Sequence, residues 1–306
     1  MRSITKASGL GAITAVALMT ALSACGSDSL NTGSTGSASP TGSVTTGGAD
    51  SSLAAMVPAD IKAKGTLTIG SDASYAPNEY LEGGTTVVGM DVDLFNAALA
   101  KLGLKGTWQN ANFDTLILGV TSGKYDAAAS SFTINADRMK QVNMISYFSA
   151  GSQWVTAKGN PNKVDPDNAC GLTVGVQKGT VQVDDLTARS KKCTESGKEA
   201  ITQVVEQDQS KVTADLISGK VQAMVADSPV ALYAVKQTGD KLEAVGKIYD
   251  SAPYGIVVAK DQTDFAKAIA AAFTAMEKDG SYKQILAKWG QESGAITTFE
   301  VNPSVG

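Results

Sequence analysis

Two short motifs that recur in the same order constrain the fold of this chain more than any other feature. Residues 67–70 (LTIG) are matched 105 residues later by 172–175 (LTVG), and residues 122–127 (SGKYDA) are matched 96 residues later by 218–223 (SGKVQA). The first motif is a short apolar strand ending in glycine, and the second places glycine where a helix C-terminus favours a left-handed residue. Each half is therefore predicted to run strand, helix, strand, helix, strand, which gives two α/β lobes with mostly parallel sheets.

Apolar residues at helical spacing predict six helices. They cover residues 91–102, 113–121, 211–218, 229–236, 265–278 and 282–289. The last two exceed what the second half needs, so the chain is expected to return to the first lobe. Lobe 1 is predicted to comprise residues 58–151 and 255–306, and lobe 2 residues 152–254. A hinge of two segments is expected near residues 151–152 and 253–255.

The N-terminus has the pattern of a secretory signal. A basic start precedes a short apolar run, and residues 22–25 (LSAC) resemble the bacterial lipobox, in which the cysteine is lipidated. Residues 1–24 are therefore predicted to be a lipoprotein signal peptide and Cys25 the lipidation site. The alternative is a signal peptide cut nearby, with an incidental cysteine. Residues 25–57 are rich in Gly, Ser and Thr, which predicts a flexible tether.

A lipid followed by a tether predicts a protein at the cell membrane, anchored on its extracytoplasmic face. This location is oxidising, so Cys170 and Cys193 are predicted to form a disulfide. The alternative is two buried thiols. Neither cysteine lies in a C-x-x-C motif, so the sequence gives no support for redox catalysis.

The composition excludes several classes of function. The chain has no histidine and three cysteines, which rules out Ser-His-Asp and Cys-His catalysis, His-containing zinc sites and Cys₄ sites. Its 26 basic and 30 acidic residues give a net charge of -4, without the basic footprint of a nucleic-acid-binding protein. A binding protein without metal, cofactor or catalytic residues is therefore favoured over an enzyme.

Polar residues follow four of the predicted strands. In open α/β sheets, ligands bind beyond the carboxyl ends of strands, close to helix N-termini. Two of these polar segments belong to each half, so a cleft between the halves would collect all four. The segments are residues 71–77, residues 131–133 with Arg138, residues 177–180 and residues 227–229.

Residues 58–290 resemble the family 3 extracellular solute-binding proteins, the polar amino-acid receptors of ABC importers. The motifs that carry the resemblance are residues 89–94 (GMDVDL), 129–134 (ASSFTI) with Arg138, 175–180 (GVQKGT) and 279–282 (DGSY). The resemblance implies a two-lobed type II periplasmic-binding-protein-like fold that closes over its solute. It also implies a monomer that docks on an ABC permease in the membrane. Asn78 departs from the pattern, because an aromatic residue is common there.

The resemblance also implies roles for individual residues. Arg138 would hold the ligand's α-carboxylate, helped by the backbone N–H groups of Thr133 and Thr180. Asp227 would bind the α-ammonium, with the Ser131 carbonyl and the Thr133 hydroxyl nearby. The remaining candidate ligand-binding residues are Asp72 at the side-chain tip, Tyr75 along the aliphatic stem, Phe132, Gln177 and Gln182. Asp72 favours a basic or amide side chain on the bound amino acid.

Alternatives remain for four of these residues. Arg138 could be a solvated charge, Asp227 a helix N-cap ahead of Pro229, Tyr75 ordinary core and Asp72 a turn residue. Two other functions also remain open. One is a sensory amino-acid receptor that does not transport its ligand, and the other is a dehydratase-like enzyme on the same fold.

Overall fold

The structure is a computed structural model, and it describes residues 48–305. The predicted signal peptide, Cys25 and most of the predicted tether lie outside the described residues. Among the helices of residues 48–305, none combines the length and the apolar character needed to span a bilayer.

The first part of the chain alternates strands and helices up to one long strand. Its elements are α1 (Ser51–Met56), α2 (Ala59–Lys64), β1 (Thr66–Ser71), β2 (Ser74–Tyr75), β3 (Glu79–Glu82), β4 (Thr86–Val88), α3 (Met90–Lys101), β5 (Lys105–Asn110), α4 (Phe113–Thr121), β6 (Ala127–Thr133), α5 (Ala136–Gln141) and β7 (Val142–Ala157).

The second part repeats the alternation and then adds a long strand and two helices. Its elements are β8 (Thr173–Gln177), α6 (Val181–Glu195), β9 (Thr202–Glu206), α7 (Gln209–Ile217), β10 (Ala223–Asp227), α8 (Ser228–Thr238), β11 (Leu242–Ala259), α9 (Thr263–Asp279) and α10 (Ser281–Trp289). Short 3₁₀ helices lie at Pro166–Asn168, Gly239–Lys241 and Glu292–Gly294.

The sheet order confirms the predicted repeat. Strands run in the order β5-β1-β6-β11-β7-β10-β8-β9, so β5-β1-β6 and β9-β8-β10 form two parallel triplets with the same internal order. The triplets are joined by the antiparallel pair β7 and β11, as expected for the two-lobed type II fold. A second, antiparallel sheet of β2, β3 and β4 lies between β1 and α3 in the chain, and no repeat predicted it.

Each of the two long strands has an outer neighbour along only part of its length. Strand β7 pairs with β10 from Ser152 to Thr156, whereas β11 pairs with β6 from Tyr254 to Val258. Each strand therefore carries the chain from one triplet to the other without interruption. The residue limits assigned to the two lobes remain a prediction.

Helices cover both faces of the sheet. On one face of the first triplet, α3, α9 and α10 share an apolar core that includes Phe95, Leu99, Ile269 and Phe273. Helix α4 covers the opposite face. The last two helices thus return to the first half, as their number predicted. Around the second triplet, α7 and α8 pack on one face and α6 on the other.

The two helix-ending glycines have the predicted conformation. Gly123 and Gly219 have φ angles of 77° and 78°, which residues with a Cβ atom rarely adopt. Each follows the C-cap serine of its helix, α4 or α7. The repeated Ser-Gly-Lys motif is therefore a helix terminator in both halves.

The folded body starts earlier than the sequence predicted. The Asp50 side chain accepts hydrogen bonds from the N–H groups of Ser52 and Leu53 and so caps α1, and Leu53 is buried against the first-half core. Residues 51–57, assigned to the tether, are therefore part of the globular structure. A capping aspartate and one apolar anchor outweigh the polar composition.

The two cysteines of the second half lie at bonding distance. Their Cα atoms are 5.5 Å apart, and Cys193 on α6 is buried beside Cys170. The disulfide itself remains a prediction for experiment.

Candidate ligand-binding pocket

A buried pocket lies between the two halves, where the carboxyl ends of β1, β6, β8 and β10 meet. The space between its lining atoms, including the part open to solvent, amounts to about 280 Å³. All four polar segments that the sequence singled out reach it, which follows from the topology of two parallel triplets facing one cleft. Its walls are formed by Asp72, Tyr75, Phe113, Ser130, Ser131, Thr133, Arg138, Gln177, Thr180, Val181, Gln182 and Asp227.

Arg138 reaches the pocket from the short helix α5, which Asn135 caps by accepting from the Arg138 N–H at 2.9 Å. Arg138 is 9% exposed, and its guanidinium donates to two carbonyl oxygens, that of Thr133 at 2.7 Å and that of Gly179 at 3.1 Å. Burial lowers the pKa of Arg138 to about 10, so the group stays charged at neutral pH. The side chain is buried, which is inconsistent with a solvated surface charge.

Two aromatic rings support Arg138. Its guanidinium carbon lies 5.3 Å from the ring centroid of Phe113 and 5.5 Å from that of Phe132. These two rings stack on each other at 4.7 Å. Phe132 was predicted to contact the ligand, but it is not among the residues that line the pocket. It lies beside the arginine and fixes its position.

Asp227 ends β10 and occupies the N-cap position of α8, with Pro229 in the first turn. Its side chain forms no capping hydrogen bond, and Oδ1 instead accepts from Nε2 of Gln182 at 2.7 Å. The backbone of Asp227 therefore begins helix α8, whereas its carboxylate does not cap the helix and lies in the pocket wall. Burial raises the pKa of Asp227.

Asp72 makes the contacts of a turn residue and also lines the pocket. Oδ1 accepts from the N–H and hydroxyl of Ser74, as in a turn, at 3.1 and 2.6 Å. Oδ2 faces the pocket and accepts from the Phe113 N–H at 2.8 Å and from Gln177 Nε2 at 3.1 Å. Burial raises the pKa of Asp72, while these donors lower it.

Several of these contacts join the two halves across the pocket. Gln177 donates to Asp72, Arg138 donates to the Gly179 carbonyl, and the Asp227 N–H donates to the Tyr75 hydroxyl at 3.2 Å. Tyr75 also packs into the apolar cluster of the second half. It is therefore both a core residue and part of the pocket wall. The structure is therefore a closed arrangement of the halves.

The remaining predicted residues are also in the wall. Gln182 donates to the Ser152 hydroxyl as well as to Asp227, and Thr180 is the N-cap residue of α6, the helix whose first turn opens on the pocket. The first N–H groups of a helix have no partner within the helix, which suits an anion. Thr133 lines the pocket and gives its carbonyl to Arg138.

Sequence reasoning missed three residues of the wall, Phe113, Ser130 and Val181. Phe113 was assigned to the apolar stripe of α4, although its N–H at the helix start already contacts Asp72. A signal was present, because Phe113 begins the helix that follows β5, beside the end of β1. Ser130 and Val181 directly adjoin the predicted Ser131 and Thr180.

Residues 67–292 match the family model of the bacterial extracellular solute-binding proteins, family 3. The chain belongs to this family. The match spans both triplets, the two connecting strands and α9 and α10, so it covers every element that builds the pocket.

Relatives of this family 3 protein are named as binding proteins. The arginine-binding protein ArgT of Corynebacterium glutamicum is 35% identical over 251 residues, which are 82% of this chain and 82% of that protein. An ancestral arginine-binding protein bound to arginine has a TM-score of 0.68 at 34% identity, over 74% of this chain and 98% of that one. The ancestral protein bound to glutamine has a TM-score of 0.69 at 33% identity, over 74% and 99%.

Proposed function

We propose that this family 3 protein captures a free basic amino acid, with arginine the first candidate, by closing its two lobes around it. We further propose that it is held at the outer face of the membrane through Cys25 and delivers its ligand to an ABC permease. The amino-acid class is supported by the pocket and by the names of the relatives. The anchor and the permease follow from the lipobox-like motif and from family membership.

One observation carries the proposal: Arg138 and Asp227 are buried charges of opposite sign that face the same pocket. Within residues 48–305, neither takes part in an ion pair, and the partners of Arg138 are neutral carbonyls. Burying a charge without a partner is unfavourable. An α-amino acid supplies both missing partners, since its carboxylate suits the guanidinium and its ammonium suits the aspartate.

The balance of charge favours a basic side chain on the ligand. The wall holds one cation, Arg138, and two acids, Asp227 and Asp72. Once an amino-acid zwitterion has neutralised the first pair, the Asp72 carboxylate remains as a buried negative charge. A guanidinium or ammonium at the tip of the ligand would balance it, whereas an amide would only donate a hydrogen bond.

Closure of the two halves around the ligand is supported by the pocket wall, to which both halves contribute residues. Arg138 and Asp72 belong to the first half, whereas Asp227, Gln177 and Gln182 belong to the second. Only the closed arrangement pairs both charges of the ligand, so closure and recognition are the same event. Strands β7 and β11 are the connections about which the halves would move.

Calorimetry with arginine, lysine, glutamine and glutamate tests the proposal directly. We expect arginine or lysine to bind most tightly and glutamate to bind least. Asp72→Asn should reduce the preference for a cationic over an amide side chain without abolishing binding. Asp137→Ala, an exposed change next to Arg138 on α5, is the matched control and should leave binding unchanged. Binding of none of the four amino acids would contradict the proposal.

A further inference from the structure

A buried acid pair lies directly behind the pocket wall. Glu79 on β3 and Asp91 on α3 are each 0% exposed. Ser130, a wall residue, donates to Glu79 Oε1 at 3.1 Å, and its neighbour Ser131 donates to Asp91. Neither acid forms an ion pair anywhere in the described part of the chain. Two ionised carboxylates at this depth, with no cation beside them, would be strongly unfavourable.

The hydrogen bonds show how the pair is accommodated. Asp91 Oδ2 accepts three of them, from the Ser131 N–H at 2.8 Å, the Ser131 hydroxyl at 3.1 Å and the Tyr147 hydroxyl at 2.5 Å. Asp91 Oδ1 has no such donor among residues 48–305. The Ser131 hydroxyl lies 3.1 Å from Asp91 Oδ2 and 3.5 Å from Glu79 Oε2, so the two carboxyl groups are neighbours. One proton on Glu79, shared with Asp91, would leave the pair with a single negative charge.

The other titratable groups near the pair do not supply a positive charge. Asp72 at the end of β1, Tyr75 on β2 and Tyr147 on β7 are the ones that face it. Burial raises the pKa of Glu79 well above its ordinary value, and the nearby Asp91 raises it further. The pKa of Asp91 is also raised by burial, although its hydrogen bonds oppose this. Both directions agree with a proton that stays on Glu79.

What the pair holds is an unusual backbone conformation. Ser131 has a φ angle of 50°, in the left-handed region that is unfavourable for residues with a Cβ atom. Its N–H and hydroxyl are both turned towards Asp91, and Asn78 Nδ2 donates to the same hydroxyl at 2.9 Å. The polar group of Ser131 that is left for a ligand is its carbonyl oxygen.

We propose that Asp91, sharing one proton with Glu79, is a positioning residue that holds Ser131 in its left-handed conformation so that the Ser131 carbonyl can receive the ligand's ammonium group. The inference rests on the proposed function for its ligand. It adds to that function a second layer of carboxyl groups, which do not touch the ligand and yet set its affinity.

Calorimetry on paired variants tests the positioning role. Asp91→Leu removes the acceptor at similar volume, and we expect arginine to bind about five- to a hundredfold more weakly. Asp91→Asn keeps an acceptor for Ser131 and should bind within about threefold of the wild type. Glycine adopts positive φ without strain, so adding Ser131→Gly to Asp91→Leu should recover a large part of the loss. Wild-type affinity in Asp91→Leu, or no recovery with Ser131→Gly, would overturn the proposal.

A second variant tests the same proposal in case Asp91→Leu does not fold. Ser131→Val leaves the acid pair intact, but its β-branched side chain strongly disfavours positive φ. It should lose affinity by a similar factor, and unchanged affinity would overturn the proposal.

A measurement without ligand tests the shared proton. Carboxyl ¹³C NMR of the free protein should show Glu79 protonated at neutral pH, and this signal should be missing in Glu79→Gln. The amide of that variant can donate to Asp91 in place of the acid, so the variant should bind arginine within about threefold of the wild type. An ionised Glu79 would overturn the shared proton. If the wild type binds no amino acid, the proposed function is wrong. The NMR result still shows whether Glu79 is protonated, because that measurement needs no ligand.

Discussion

Replacing Arg138 by methionine should separate ligand binding from stability. Methionine fills similar space with an apolar chain, so the change removes the charge without leaving a large cavity. The ligand's carboxylate would then be buried without a partner. Loss of such a buried charged partner costs about 2–5 kcal/mol, roughly a thirty- to several-thousand-fold loss of affinity.

The free protein should respond much less, because two contributions oppose each other. Burial lowers the Arg138 pKa from 12.5 to about 10, so the group stays charged at neutral pH, but its charge is less favourable in the folded protein than in the unfolded chain. This corresponds to about 3 kcal/mol that methionine would relieve. Against it stand two hydrogen bonds from a charged donor, to the carbonyls of Thr133 and Gly179, of about 1.5–3 kcal/mol each. The net change in unfolding free energy should therefore stay within about 3 kcal/mol.

Two assays measure the two quantities. Isothermal calorimetry with arginine gives the affinity, and urea unfolding of the ligand-free protein gives the stability. Asp137→Ala on the same helix serves as the control for both. Arginine affinity close to the wild-type value would refute the reasoning, because the carboxylate would then be held by other groups.

Four further predictions concern Asp227, the disulfide and the lipid anchor. Burial raises the Asp227 pKa, and the ligand's ammonium needs the ionised form, so arginine affinity should fall as the pH drops through that raised value, measured by calorimetry across mildly acidic pH. By the same linkage the free folded state binds this proton more readily than the unfolded chain, so Asp227 should make the free protein more stable as the pH falls, an effect that Asp227→Asn removes in urea unfolding. Alkylation without reductant should leave Cys170 and Cys193 unmodified by intact mass, and two modified thiols would disprove the bridge. Cys25→Ser should release the protein from the membrane into the medium, which fractionation and immunoblotting would detect; full retention would exclude the lipid anchor.

The repeated motifs made most of the fold predictable. They are local signals, since an apolar strand and a helix-ending glycine are both encoded within a few residues, and their repetition fixed two similar halves. The extra sheet of β2, β3 and β4 has no counterpart in the second half, so the repeat carried no information about it. Helix α1 was missed because one capping aspartate and one buried leucine are weak signals within a polar segment.

For the pocket, residue types at the ends of strands predicted well which residues line the wall. The role of each residue towards a ligand stays a prediction. Nine of the ten proposed ligand-binding residues line the pocket, because polar residues at the carboxyl ends of parallel strands must converge. Phe132 does not line the pocket, because its ring packs into the apolar cluster of α4 beside Arg138. The link between Asp91 and Ser131 spans 40 residues and depends on a single positive φ angle, and neither is visible in a linear pattern.

The position of β11 in the sheet has a consequence for the order in which the protein acquires its structure. This strand lies between β6 and β7, although about a hundred residues separate it from β6 in the chain. As the polypeptide is synthesised and exported N-terminus first, β6 has no neighbour on that side until β11 arrives, and α9 and α10 follow later still. The second triplet, by contrast, is contiguous in sequence between β7 and β11. We expect it to fold first and the first half to remain open until residues 242–289 are available, since long-range strand pairing is slow to form. Newly exported chains would therefore expose two unpaired strand edges, one on β6 and one on β7, where premature contact between molecules would begin.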